Sequence, residues 1–96
     1  MTQRTLTSRF PLGGLYVTTG AAAALDEAGE TPLTYIARHA RGDWGDVSAE
    51  DAAENELSIA QGFRILSAYT LKTGDRIYVI TEADRSATTV LLRDEY

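Results

Sequence analysis

The chain contains no cysteine among its 96 residues, and this absence excludes two kinds of structure. Neither a disulfide bond nor a thiolate metal site can form without a thiol. The absence agrees with a reducing compartment, so we expect a cytoplasmic protein. A chain of this length can bury one modest core, which predicts a single domain.

Long apolar runs are also missing, and no stretch approaches the roughly 20 residues needed to span a bilayer. The first nine residues are polar and lack the apolar centre of a signal peptide. A hydrophobic fraction of 44% with 24% charged residues is typical of a globular chain rather than a disordered one. We therefore predict a flexible arm over residues 1–9 and one domain over residues 10–96, with no membrane association.

Proline and glycine are few enough to mark the boundaries of the first elements. Pro11 and the pair Gly13–Gly14 favour a loop that enters a short strand over residues 15–18. The alanine-rich stretch 20–28 has high helix propensity, with Thr19 as the expected N-cap and Gly29 as the left-handed residue after its end.

The second and third helices have clearer start signals. Thr31 precedes Pro32, which fits the first helical position, and we expect this helix to end at Gly42. Ser48 with Asp51 three residues later is typical of a capped helix start, and Gly62 ends that third helix. Small and apolar residues form one narrow face of the third helix: Ala49, Ala52, Ala53, Leu57 and Ala60.

After residue 62 the apolar residues alternate with a period of two, which predicts three strands over residues 63–71, 76–82 and 87–92. The turns between them are short, so an antiparallel meander is expected. The core-facing residues should be Ile65, Ile77, Val79, Val90 and Leu92. The fold class is thus α+β, in the order β-α-α-α-β-β-β, with helices packed on one face of a small antiparallel sheet.

Basic residues are absent from residues 43–56, which hold six carboxylates and so carry a local charge of −6. The rest of the chain has nine Lys and Arg against eight Asp and Glu, so the net charge of −5 originates in this one segment. The acids fit either a solvated, well-capped helix start or a surface that engages a basic partner. Glu50 and Glu54 could supply two oxygen ligands to a metal, but the spacing of a calcium loop is missing, and we predict no metal and no cofactor.

Trp44 is the only tryptophan, and it lies in the glycine-flanked loop at the start of this acidic segment. Its large indole ring fits two roles. It either fills a gap in the core or forms an exposed hot spot for a partner.

His39 is the only histidine, and an acidic chain should repel nucleic acid on average, so no direct DNA binding is expected. A histidine on a helix, followed by Arg and Thr on an antiparallel sheet, nevertheless resembles the layout of the barnase–EndoU–RelE group of small metal-independent ribonucleases. That resemblance implies an alternative in which His39, Arg85 and Thr88 cleave RNA. The other interpretation of His39 is a residue near a helix C-terminus with no chemical role.

Established catalytic and nucleotide-binding motifs are missing. The chain has no glycine-rich phosphate loop, no G-x-S-x-G and no H-E-x-x-H. The leading interpretation is therefore not an enzyme.

Three strings, GDWGD, RILSAY and ITEADRSATTVLL with the terminal DEY, resemble a family of short bacterial proteins from plasmids and integrative elements. The similarity extends from Phe10 to Tyr96. It implies an accessory protein of a mobile genetic element, a setting that includes inhibitors of host defence such as anti-CRISPR proteins, as well as small toxins and antitoxins.

Taken together, these features predict a non-enzymatic interaction module. It would bind a protein, or a protein–nucleic acid complex with a basic surface, and act as an inhibitor of host defence. The predicted contact residues are Asp43, Trp44, Asp46, Glu50, Asp51, Glu54 and Glu56. A homodimer formed through an exposed sheet edge or helix face is a further alternative.

Overall fold

The computed structural model describes residues 8–96. The predicted flexible arm lies outside the described residues except for Ser8 and Arg9. The Arg9 amide donates a hydrogen bond of 2.8 Å to the Ala40 carbonyl, so the described part of the chain starts against the end of a helix.

The elements follow the predicted order. Strand β1 spans Gly14–Val17, and helices α1, α2 and α3 span Thr19–Ala28, Pro32–Ala40 and Ala49–Gln61. Strands β2, β3 and β4 span Ile65–Thr70, Arg76–Thr81 and Ala87–Leu92, and a 3-10 turn over Arg93–Glu95 follows. The α+β fold class is therefore confirmed, with element ends that differ from the prediction by one or two residues.

Side chains that accept backbone hydrogen bonds fix the helix starts. Thr31 and Ser48 cap α2 and α3 as predicted, because their hydroxyls accept from Leu33 N and Asp51 N. In α1 the capping residue is Thr18 rather than Thr19, and its Oγ1 accepts from Ala21 N at 3.1 Å. Two adjacent threonines offer the same chemistry, so the sequence pattern does not distinguish them.

The sheet has the strand order β1-β4-β3-β2. The pairs β2–β3 and β3–β4 are antiparallel, which confirms the predicted meander, whereas β1 pairs with β4 in parallel and makes the sheet mixed. A parallel neighbour requires a long connection, here the three helices together with β2 and β3, and leaves no hairpin signal in the sequence. β1 is an edge strand, and self-association through that edge stays a prediction.

One face of the sheet carries the main core. Helices α1 and α2 pack against it, and the buried side chains include Leu25, Tyr35, Ile36, Tyr69, Ile77, Val79 and Val90. A second cluster of Phe10, Trp44 and Ile65 lies beside it and receives Ala52 and Ile59 from α3. The predicted inward positions of β2, β3 and β4 are confirmed. Among residues 8–96, no helix is long and apolar enough to cross a membrane.

Candidate functional site

The loop of the acidic segment lies along the outer edge of β2. Gly45 forms a bridge with Ala68: the Ala68 amide donates to Trp44 O at 3.1 Å, and the Asp46 amide donates to Ala68 O at 2.7 Å. Asn55 continues this pairing from α3, because its amide group donates to Leu66 O at 2.8 Å and accepts from Leu66 N at 3.1 Å. The loop and Asn55 therefore pair the polar backbone groups of an edge strand that would otherwise be open.

Trp44 is a core residue, since only 6% of its surface is exposed. Its ring stacks on Phe10 at a centroid distance of 6.2 Å and meets His39 edge-on at 5.9 Å. The indole Nε1 donates to Glu56 Oε2 at 3.3 Å, which satisfies the polar end of the ring. Of the two roles left open by the sequence, the structure places Trp44 in the core, so its ring offers no exposed surface to a partner.

Two of the six carboxylates are neutralised by arginines from elsewhere in the fold. Arg38 donates to Asp43 Oδ2 at 2.7 Å, and Arg9 binds both oxygens of Glu56 at 2.7 and 2.9 Å. The hydrogen bonds from these arginines lower the pKa of Asp43 and of Glu56. Both acids thus have internal partners that the sequence could not reveal, since Arg9 lies far from Glu56 along the chain.

The other four acids of residues 43–56 are exposed to solvent. Asp46 is exposed and accepts a hydrogen bond of 2.8 Å from the Thr70 hydroxyl. Glu50, Asp51 and Glu54 are exposed, and no ion pair joins them to any other residue in the range 8–96. The concentrated negative field therefore persists at the start of α3, although it is smaller than the local charge of −6 suggests.

Helix α3 shows an unusual distribution of polarity. Its buried residues are Asn55 and Ser58, both polar, whereas Leu57 is 48% exposed and lies opposite Asn55 on the helix. Ala53, one turn before Leu57, is exposed as well. The helix turns its only leucine outward because Asn55 is needed to pair the β2 edge. The sequence pattern places Leu57 on the small-residue face of α3, and Leu57 is not among the contact residues predicted from the sequence.

Glu50 and Glu54 stand beside Leu57 on the same exposed side of α3. An apolar side chain next to two unpaired carboxylates is the arrangement that a basic amphipathic partner would complement. We call the surface formed by Glu50, Ala53, Glu54 and Leu57 the α3 outer face.

His39 belongs to a buried chain of hydrogen bonds and has no surface exposure. Its Nδ1 lies 2.6 Å from Ser67 Oγ, and its Nε2 lies 2.9 Å from Thr81 Oγ1. Thr81 Oγ1 is 2.7 Å from Thr88 Oγ1, and the Thr88 hydroxyl donates to Leu12 O at 2.7 Å. Burial lowers the pKa of His39 to about 4, so the imidazole is neutral at physiological pH.

This arrangement bears directly on the ribonuclease alternative. Thr88, like His39, is fully buried. Arg85 adopts a left-handed conformation with φ of 61°, and its guanidinium donates to the carbonyls of Phe63 at 2.7 Å and Ser58 at 2.8 Å. Two of the three candidate groups therefore have no contact with solvent, and the third is engaged in joining the end of α3 to the β3–β4 turn.

Among residues 8–96, no group of three or more His, Asp or Glu side chains is arranged to hold a metal ion. Comparison with known proteins adds no further assignment: no family model, no curated protein and no solved structure matches this chain.

Proposed function

We propose that the protein is a non-enzymatic interaction module that binds a basic surface through the α3 outer face. The observation that carries this proposal is the orientation of α3, which buries Asn55 and Ser58 and exposes Leu57 beside two carboxylates that form no ion pair within residues 8–96. The partner class is a protein, or a protein–nucleic acid complex, whose contact surface combines Lys or Arg with an apolar groove. Leu57 would enter the groove, and Glu50 and Glu54 would face the basic rim.

The carboxylates and the leucine would contribute to binding in different ways. Exposed carboxylates accelerate encounter with a basic surface and set its orientation, but they are screened by salt. A leucine that loses its solvent-exposed area on binding contributes about 1 to 2 kcal/mol. Trp44 has an indirect role in this proposal, because it packs beneath α3 and holds Glu56 through its indole nitrogen.

The charge component is tested with two double variants that remove the same formal charge. Glu50→Gln with Glu54→Gln changes the α3 outer face, whereas Asp26→Asn with Glu27→Gln changes exposed positions on α1. We expect the α3 variant to lose about tenfold in affinity for the captured partner at low salt, and its salt dependence to become flatter. The α1 variant should bind as the unmodified protein does.

The readout is capture from cells of the natural host on immobilised protein, followed by elution with increasing salt and measurement of affinity for the eluted partner. If both double variants capture the same partner and release it at the same salt concentration, the α3 outer face is not the contact surface. Specific capture that only the α3 variant loses supports the proposal.

The resemblance to plasmid and integrative-element proteins adds a biological setting to the proposal. In that setting, we propose that the module is an accessory protein of a mobile element and that its partner is a component of host defence. Plasmid establishment in a defence-proficient host, compared between the two double variants, tests this extension. Equal establishment with both variants would contradict it.

A further inference from the structure

Two arginines lie near each other at the end of the sheet where β3 begins and β4 ends. Ile77 pairs with Leu92 at the end of the ladder; Arg76 precedes Ile77 on β3, and Arg93 begins the 3-10 turn that follows β4. Both line the same two surface grooves, which shows that their side chains share one region. Like charges placed close together repel each other, and a nearby anion offsets that repulsion.

Within residues 8–96 neither arginine forms an ion pair, although Asp75 and Asp94 line one of the two grooves with them. Arg9, Arg38 and Arg64 each form an ion pair, but no ion pair of Arg76 or Arg93 exists within residues 8–96. Residues 1–7 contain no Asp or Glu that could supply one. Two neighbouring guanidinium groups without an ion pair keep their donors available for an oxyanion.

The smaller of the two grooves has chemically distinct walls. Its volume is about 170 Å³, and Arg76 and Arg93 form one wall. The floor is largely apolar and consists of Leu66, Ala68 and Tyr78. Asp46, Ser48 and Asp51 form the other wall. Because Asp46 runs alongside β2 and Arg76 belongs to the next strand, about 10 Å separates the two backbones.

We propose that this groove binds a small amphoteric molecule, one that carries an oxyanion and an ammonium group on a compact apolar body. The oxyanion, a carboxylate or a phosphate, lies between the guanidinium groups of Arg76 and Arg93. The ammonium group faces Asp46 and Asp51, and the body covers Tyr78 and the floor. The volume is well below the roughly 300 to 1,000 Å³ of sites for larger ligands, and it fits an occupant of about the size of a single amino acid.

This proposal is independent of the α3 outer face. The groove uses Arg76, Arg93, Asp46 and Asp51, whereas partner binding is assigned to Glu50, Glu54 and Leu57. Failure of either proposal leaves the other unaffected.

The test is a titration followed by amide NMR with four probes at millimolar concentration. Leucine supplies a carboxylate and an ammonium group, and phosphoethanolamine supplies a phosphate and an ammonium group. Leucinamide lacks the anion, and N-acetylleucine lacks the cation. We expect leucine or phosphoethanolamine to shift the amide signals of Leu66, Ala68 and Tyr78, and whichever binds identifies the oxyanion.

The matched variants separate binding from non-specific attraction. Arg76→Gln or Arg93→Gln should weaken the effective probe at least about tenfold, whereas Arg41→Gln, which removes an exposed arginine elsewhere, should leave it unchanged. Spectra of the free variants that keep the signal dispersion of the unmodified protein, with changes only near the substituted residue, establish that each is folded.

Three results would overturn the proposal. One is the absence of signal shifts with both amphoteric probes. Another is binding of leucinamide or N-acetylleucine as tight as that of leucine, because one of the two charged walls of the groove would then not contribute to binding. The last is an Arg41→Gln variant that weakens binding as much as Arg76→Gln does, which would reduce the effect to overall charge.

Discussion

At the scale of single residues, His39 lies in a hydrogen-bonded chain whose direction is determined at one end. The Leu12 carbonyl can only accept, so Thr88 must donate to it and must itself accept from Thr81. Thr81 then accepts from His39 Nε2–H, and His39 Nδ1 accepts from Ser67. Because burial lowers the pKa of His39 to about 4 and keeps the imidazole neutral, its proton lies on Nε2 and its Nδ1 accepts. His39 is therefore a structural residue that couples α2 to three strands.

The burial of His39 in this hydrogen-bonded network makes the folding stability dependent on pH. The pKa of His39 is about 4 in the folded protein and 6.5 when the residue is solvated, so the unfolded state binds more protons between these values. The contribution of neutral His39 to the free energy of unfolding is therefore fully present above pH 6.5 and is lost as the pH decreases toward 4. We expect a loss of about 2 kcal/mol in the free energy of unfolding between pH 7 and pH 5.

Urea denaturation of the unmodified protein and of His39→Gln, each at pH 7 and pH 5, measures this effect. Glutamine retains a donor and an acceptor but does not titrate, so the variant should show little change over the same interval. The acids with lowered pKa, including Asp43 and Glu56, contribute only at lower pH. An equal loss in both proteins would contradict the assignment to His39.

At the scale of secondary-structure elements, the GDWGD loop has a clear structural role, because it pairs with the edge of β2. Gly45 is essential to that pairing. Its φ is +73°, and an added Cβ would lie 2.0 Å from Ala68 O and 2.6 Å from the Tyr69 ring. A side chain at this position must therefore displace the loop from the strand.

We expect Gly45→Ala to lower the free energy of unfolding by more than about 3 kcal/mol, since it combines left-handed strain with a backbone clash. Gly29→Ala is the matched control. Gly29 has a similar φ of +70° with no atom near an added Cβ, so only strain of about 1 kcal/mol remains. Thermal or urea denaturation compares the two. Equal destabilisation would show that the contact with Ala68 is unimportant.

Particular elements show what the sequence could predict. Ser48 and Thr31 cap α3 and α2 as expected, because capping depends on neighbouring residues only. The alternation of apolar residues with a period of two likewise predicts strands β2, β3 and β4. The inward face of α3 could not be predicted, since Asn55 is buried by a pairing with Leu66 that depends on tertiary structure. The role of Trp44 could not be decided from the sequence for the same reason, because its burial depends on contacts with Phe10 and Ile65 that form only in the folded protein.

At the scale of the whole molecule, charge is divided between distinct surfaces. Arg9 and Arg38 neutralise Glu56 and Asp43 and fix the loop and helix in place. Of the other acids in residues 43–56, Glu50 and Glu54 lie on the α3 outer face, whereas Asp46 and Asp51 line the groove that also contains Arg76 and Arg93. Sequence alone located the excess of acid but could not distinguish the acids with internal partners from those available to a partner protein.

The most direct test of the central claim compares two exposed leucines. Leu57 on the α3 outer face is 48% exposed, and Leu33 on α2 is 62% exposed, so each can be changed to serine with little expected effect on folding. The measurement is the affinity of each variant for the partner captured by the unmodified protein. We predict that Leu57→Ser weakens binding by about tenfold or more and that Leu33→Ser does not. Equal affinities for the two variants would contradict the assignment of the α3 outer face as the contact surface.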